Sequence, residues 1–354
     1  MDRLAAFDNA RATLLLLGVL FHSAVFVYLY QQPASLSEFL FVVFLHQFMH
    51  TFRMPAFFVI AGFFAAYLLQ SRGATKFLQN RLARITLPLV IFWIPLIFAN
   101  SWTSQGAWLT GRNTFDILPI DFGHLWFLYF LTLFVLATLA LVQPLQLLSS
   151  KSISPTLFLA LLVAVFPLIP GVFDKEGTLA TSTRIVPDPG LLLLYFLIFF
   201  SGVVAYFQRD RWLQFLQQRA VWLATLFVST FFVFFLIQDW GLLVTGWVYA
   251  AAVVSGTYGV LGLFLRFATG QGKILKFVAD ASYWIYLVHL PLVFFFLISL
   301  SQLGIGSLPT ILLTTLMTTF TGLLSYKFLV RHTVISTLLN GRRHPFRGKK
   351  QSDL

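Results

Sequence analysis

The 354-residue sequence contains no cysteine and few charged residues. Without thiols, the chain can form neither disulfides nor thiolate metal sites, and any covalent chemistry must use another nucleophile. Charged residues make up 10% of the chain, whereas soluble globular proteins carry roughly a quarter. Acidic residues are especially scarce, with 12 Asp and Glu against 24 Lys and Arg. We therefore expect neither a soluble fold nor a metal cofactor.

Apolar residues are abundant instead: 58% of the chain is hydrophobic, and 42 residues are Phe. They occur in runs of about 20 residues, the length that a helix needs to cross a membrane. Strands of a membrane barrel would alternate apolar and polar residues, and these runs do not. The runs predict ten spans, at residues 10–30, 39–69, 85–99, 122–142, 155–172, 190–207, 221–238, 241–267, 277–300 and 308–330. The predicted fold class is an all-α, polytopic membrane bundle of about ten transmembrane helices.

The basic residues predict which helix ends face the cytoplasm, because cytoplasmic loops carry an excess of Lys and Arg. With ten spans, one side holds 20 of the 24 basic residues and the other holds 3, while Arg53 lies inside a span. Both termini are therefore predicted to be cytoplasmic. We expect a single transmembrane domain over residues 1–335 and a short basic tail over 336–354. The basic residues fall in short loops between apolar runs. We therefore expect the lipid bilayer as a partner, and we expect no nucleic-acid binding.

Ionisable side chains inside spans are costly, so each one is a candidate functional residue. In the first span, Arg11 and His22 are eleven residues apart, a spacing that returns to nearly the same helical face. At 1.5 Å per residue, they are separated by about 16 Å along the helix. Arg11 then lies at the cytoplasmic surface and His22 lies beyond the membrane midplane. In the second span, His46, His50 and Arg53 also share one face.

Three further groups can be interpreted in two ways. Arg81 and Arg84 are either ordinary positive-inside charge or a clamp for phosphate groups. Trp126 suits an interfacial aromatic belt, but His124 two residues earlier favours a functional site. His289 is either a packed structural histidine or a functional one.

These segments together resemble the membrane acyltransferase-3 family. The resemblance is carried by Arg11 and His22 with ten residues between them, HTFRMPAFFVIAGF at 50–63, the Arg81 and Arg84 pair, HLWFL at 124–128 and YLVH at 286–289. It covers the first four spans and the ninth, whereas spans five to eight match only in hydrophobicity. Members of the family transfer an acyl group to a hydroxyl on the far side of the membrane, so the resemblance implies a multi-pass protein of the bacterial inner membrane.

The resemblance also implies the donor and the residues that bind it. The usual donor is a cytoplasmic acyl-coenzyme A (acyl-CoA), whose phosphates Arg11, Arg81 and Arg84 would bind. His22 would take the proton of the acceptor hydroxyl, since a neutral imidazole is suited to general-base catalysis. Direct transfer and an acyl-histidine intermediate are both open.

The remaining candidate residues are expected to contact the thioester of the donor or the acceptor. Arg53 would stabilise the developing oxyanion or orient the thioester, with a structural ion pair as the alternative. His124 would assist His22 or bind the acceptor. The implied acceptor is a periplasmic glucan or another envelope glycan, and the acyl group is succinyl or acetyl. The residues expected to bind substrate are His50, Trp126 and His289.

Two other functions account for the same polar residues. A transporter or flippase would also place His and Arg near the membrane midplane, but the sequence has no paired halves and no chain of acidic residues for proton coupling. A non-catalytic scaffold or sensor would need these residues to be structural only. A substitution scan that measures acyl transfer, substrate flux and partner binding separates the three functions.

Overall fold

The computed structural model describes residues 2–31, 33–110, 121–141, 153–270 and 272–341. These residues form helices joined by turns and by one longer non-helical segment, residues 169–188, and their only β-structure is an isolated bridge between Phe173 and Leu179 in that segment. The helices are α1 (Asp2–Tyr30), α2 (Leu36–Arg81), α3 (Leu87–Ser104), α4 (Ala107–Thr110), α5 (Trp126–Ala140), α6 (Pro155–Val165), α7 (Pro189–Phe207), α8 (Arg209–Leu236), α9 (Leu242–Phe267), α10 (Lys273–Gln302), α11 (Ser307–Ser325) and α12 (Val334–Asn340).

Eight helical stretches of the described residues are long and apolar enough to cross a membrane. The longest, Leu36–Ser104, has 69 residues and would extend about 100 Å as one straight helix, three times the hydrocarbon thickness. It is broken at Gly73, whose φ of 77° lies outside the helical region, so it contains the two predicted spans 39–69 and 85–99. The short apolar stretch Pro155–Leu168 accounts for the fifth predicted span. The predicted polytopic helical bundle is confirmed.

Contacts between loops follow the alternation of sides that the basic residues predict. On one side, the Asn9 amide donates hydrogen bonds to Ala268 O at 2.7 Å and to Gly270 O at 2.9 Å. On the other side, the Thr183 hydroxyl donates to an Asp121 carboxylate oxygen at 2.8 Å. Each bond joins segments that the charge pattern assigns to one side of the bilayer. Which side faces the cytoplasm stays a prediction.

The middle of α2 is held against α7 by two glycines. A Cβ on Gly62 would lie 1.9 Å from the backbone oxygen of Phe199, and a Cβ on Gly202 would lie 2.0 Å from that of Val59. The two backbones therefore touch, as small residues allow in membrane bundles. This crossing lies between two and three turns beyond Arg53 and fixes the part of α2 that carries the polar face.

The last described helix, α12, packs against the bundle. Ser336 is fully buried, Leu339 is 4% exposed, and the Asn340 amide donates to Asp280 O at 2.8 Å. Residue 336, where the basic tail is predicted to begin, lies within this packed helix, and the division into domain and tail stays a prediction. The basic residues from 342 onward lie outside the described residues.

Candidate active site

A cavity of about 550 Å³ lies between α1, α2, α5 and α10. Every residue that the sequence analysis assigned to catalysis or binding lines this cavity. These residues are Arg11, His22, His50, Arg53, Arg81, Arg84, His124, Trp126 and His289. They come from segments far apart in the chain, and helix packing brings them together. Their individual roles stay predictions.

Four arginines form one end of the cavity, which we name the arginine rim: Arg11, Arg72, Arg81 and Arg84. Arg81 and Arg84 are each close enough to other rim arginines for electrostatic repulsion. Arg11 contacts the Asp8 carboxylate at 3.5 Å, and Asp8 is the only carboxylate among the described residues that line the cavity. Nε of Arg81 is buried without a hydrogen-bond partner. The rim therefore has an excess of positive charge that suits a ligand with several negative charges.

Two contacts hold Arg84 at the rim. Residues 82–86 form a turn of π-helix, a local widening that is frequent at functional sites, and the Tyr283 hydroxyl donates to Arg84 O at 2.7 Å. Gly341, after α12, lies against the guanidinium, since a Cβ there would be 1.6 Å from Nη2. The backbone and side chain of Arg84 are thus positioned by two different helices.

Arg53 is the buried cation of the inner part of the cavity. The residue is 7% exposed, and its guanidinium carbon lies 4.4 Å from the centroid of the Phe21 ring. Nε is buried without a hydrogen-bond partner, and no carboxylate pairs with it in the part of the chain that the structure describes. Gly18 provides the space, because a Cβ at that position would lie 2.5 Å from Nη1. An unpaired buried guanidinium is costly and suits a site where a negative charge is present or develops.

Three imidazole rings meet beside Arg53. The centroid of the His289 ring lies 5.0 Å from that of His22 and 5.1 Å from that of His124. Pro291 contributes to this arrangement: it has no N–H, so Leu287 O four residues earlier has no helical donor. His124 Nε2 donates to that oxygen instead, at 3.1 Å. The proline of α10 therefore fixes the position and tautomer of a histidine at the start of α5.

Backbone oxygens also orient two other histidines. His289 Nδ1 donates to Tyr286 O at 2.7 Å, and His50 Nε2 donates to Leu179 O at 2.6 Å. Leu179 belongs to the segment between α6 and α7, and exposed Thr181 of that segment lines the cavity. The cavity thus extends from the arginine rim to a segment that the charge pattern assigns to the opposite side of the membrane.

His46 and Trp126 each differ from one of the positions that the sequence favoured. His46 shares the predicted face of α2 but is absent from the cavity lining, and its Nδ1 bonds to Val42 O at 3.2 Å. Trp126, which suited an interfacial belt, is 6% exposed and packs against the rings of Phe58 and Tyr195. Both differences arise because neighbouring helices, and not the helix itself, decide which side chains face the cavity.

The cavity residues that the sequence-based interpretation did not select include Gly18, Phe21 and Arg72. Gly18 had a readable signal, since it lies four residues before His22 and thus on the same face of α1. Arg72 carries no signal beyond that of a cytoplasmic loop charge. Phe21 is one of 42 Phe, and its spacing does not distinguish it from lipid-facing rings.

Comparison with known proteins identifies the family. A family model described as an acyltransferase domain matches residues 4–329. Proteins named glucans biosynthesis protein C, from Salmonella heidelberg, Salmonella agona and Salmonella typhi, are each 24% identical to the chain over 318 residues, which is 82% of this chain and 82% of theirs. No solved structure matches the chain significantly. The chain is a multi-pass membrane protein that belongs to the acyltransferase-3 family of acyltransferases.

Proposed function

We propose that the protein is an O-acyltransferase of the bacterial inner membrane that transfers an acyl group from cytoplasmic acyl-CoA to a hydroxyl of a periplasmic glucan or another envelope glycan. The proposal rests chiefly on one observation: a single cavity joins the arginine rim to the histidines and Arg53. Donor and acceptor can therefore approach the same buried point from opposite ends.

The arginine rim suits the phosphates of coenzyme A. Arg guanidinium groups bind phosphate through paired N–H donors, and four of them line the rim together. Arg11 and His22 are about 16 Å apart along α1, a distance that the extended pantetheine arm of the donor would span. The thioester would then lie beside His22 while the phosphates stay at the cytoplasmic surface.

The inner end suits the transfer step. His22 Nδ1 is buried without a partner, so Nε2 is the nitrogen that can meet a ligand in the cavity. In the proposed reaction this nitrogen takes the proton of the acceptor hydroxyl, directly or after His22 itself has carried the acyl group. The Arg53 guanidinium would stabilise the oxyanion that forms on the thioester carbonyl. His124, fixed by Leu287 O, would position the rings around His22.

The acceptor is inferred from the relatives and from the far end of the cavity. The relatives are named for glucan biosynthesis, and an envelope glycan has the hydroxyl groups that O-acylation needs. Exposed Thr181 marks where such a chain would approach. For a succinyl donor, Arg53 would also meet the free carboxylate, so Arg53→Met should reduce any preference for succinyl over acetyl.

The test is acyl transfer from radiolabelled acetyl-CoA and succinyl-CoA to extracted envelope glycans. Wild type and folded His22→Ala are compared, with His46→Ala as the matched control because it removes a buried histidine of α2 that is not on the cavity. We expect transfer by wild type and His46→Ala and a loss of at least about 100-fold in His22→Ala. No transfer from either donor by folded wild type would contradict the proposal and favour the transporter.

A further inference from the structure

The four histidines on the cavity differ in which ring nitrogens are free. A backbone carbonyl only accepts hydrogen bonds, so a ring nitrogen bonded to one must carry the proton, and the other nitrogen of the neutral ring has the lone pair. His50 and His124 each use Nε2 in this way, and Nδ1 of each is buried without a partner. Neither ring therefore offers a free nitrogen to a ligand in the cavity.

His289 has the opposite arrangement. Its Nδ1–H is bonded to Tyr286 O, so the lone pair is at Nε2, and Nε2 is not one of the buried unpartnered atoms. The residue is 4% exposed and lines the cavity. A proton acceptor whose tautomer is fixed by a hydrogen bond at its other nitrogen is the arrangement that general-base histidines use. His22 has a free Nε2 as well, but no partner fixes its tautomer.

We propose that His289 is a second catalytic residue, which returns the proton of the acceptor hydroxyl to the departing thiolate. The inference rests on the proposed acyltransferase function. The acceptor O–H bond breaks and its proton moves to His22 Nε2, while the oxygen bonds to the acyl carbon. As the C–S bond breaks, the proton passes from His22 to the lone pair at His289 Nε2 and from there to sulfur. The products are the ester and free coenzyme A, and both imidazoles end neutral.

The decisive variant is His289→Asn. The Asn side-chain amide can still donate to Tyr286 O, so the local hydrogen bond is kept, but the proton-accepting nitrogen is lost. We expect an unchanged Kd for succinyl-CoA and at least a 100-fold lower rate of thiol release, within the range for loss of an acid–base group. Because the chain has no cysteine, the thiol measured in this assay comes from coenzyme A alone.

Rescue and non-additivity distinguish catalysis from a structural role. Added imidazole should partly restore His289→Ala, because the ring can occupy the vacated part of the cavity, and it should not change His46→Ala. Residues that act as one unit are not additive, so His22→Ala combined with His289→Asn should be about as slow as His22→Ala alone. Rescue together with non-additivity supports the relay.

Three results would overturn the inference: a rate within threefold of wild type in His289→Asn, weaker donor binding as its only defect, or multiplicative losses in the double variant. Each requires an active wild type. A wild type that transfers no acyl group contradicts the proposed function itself, so the two failures are distinguishable.

Discussion

The contact between Gly18 and Arg53 allows one methyl group to be added to the cavity wall without altering a charged side chain. A Cβ at Gly18 would lie 2.5 Å from Arg53 Nη1, whereas optimal separations of non-bonded heavy atoms begin at about 3.5 Å. In Gly18→Ala the guanidinium must therefore retreat by about 1 Å. The atom that moves is the end of a flexible side chain, so the backbone can stay in place. A displacement of this size at a reacting group can cost about 100-fold in rate.

The same substitution should stabilise the helix. Gly18 lies in the interior of α1, where replacing Gly by Ala favours folding by up to about 1 kcal/mol. We therefore expect Gly18→Ala to keep or raise the Tm while its acyl-transfer rate falls about 100-fold. Thermal unfolding in detergent and thiol release from acyl-CoA, measured on the same preparations, check the two expectations together.

A double variant shows whether the rate loss acts through Arg53. In an Arg53→Met background the displaced guanidinium is absent, so adding Gly18→Ala should have no further effect on the rate. A fully active Gly18→Ala protein would refute the reasoning, because the guanidinium position would then not matter. Equal losses from Gly18→Ala in both backgrounds would also refute it, since the methyl group would then act elsewhere.

Three other substitutions test the geometry of the bundle and the cavity. Pro291→Ala supplies an N–H that competes for Leu287 O with His124 Nε2, so transfer should slow about tenfold, by analogy with the loss of a supporting hydrogen bond, while the Tm is kept. ¹⁵N NMR should show an altered His124 tautomer, and an unchanged spectrum would contradict the assignment. Arg81→Gln removes one charged phosphate contact, so the KM for acyl-CoA should rise about tenfold with kcat nearly constant. Initial rates measured against donor concentration test this. A fall in kcat alone would argue against donor binding at the arginine rim. Gly62→Ala places a Cβ 1.9 Å from a backbone oxygen of α7 and should destabilise the bundle by about 1–3 kcal/mol; an unchanged Tm would show that the two helices separate freely.

The sequence alone predicts the helical bundle, which the structure confirms, and it also selects the candidate residues, whose roles stay predictions. Runs of apolar side chains predict helices, because a segment that crosses lipid must satisfy its own backbone hydrogen bonds. Arg53, His22 and His289 were conspicuous for the same reason, since polar groups are rare and costly in such runs. These are properties of single segments, and they can be read without knowing how the segments pack.

The apolar pattern predicts the presence of each helix better than it predicts where the helix begins and ends. Helix α1 begins at Asp2 and α8 at Arg209, both several residues before the apolar run, because a helix can extend past the hydrocarbon into water. Two predicted spans lie in one continuous helical stretch, which is interrupted only by the kink at Gly73. Polar helical turns outside the membrane have no hydrophobic signal that would set their ends.

Only the tertiary structure decided how the site is assembled. Pro291 frees a carbonyl that is bonded by His124, from a different helix, and Gly18 makes room for a guanidinium carried by α2. Gly18 and Pro291 can both be read from the sequence, but the residues that they contact or affect on other helices cannot. Periodicity fixes which residues share a face of one helix. Which faces of two helices contact each other depends on close packing along their whole lengths. For that reason the sequence determined which residues are candidates, and the packing of the helices determined which of their atoms face the cavity.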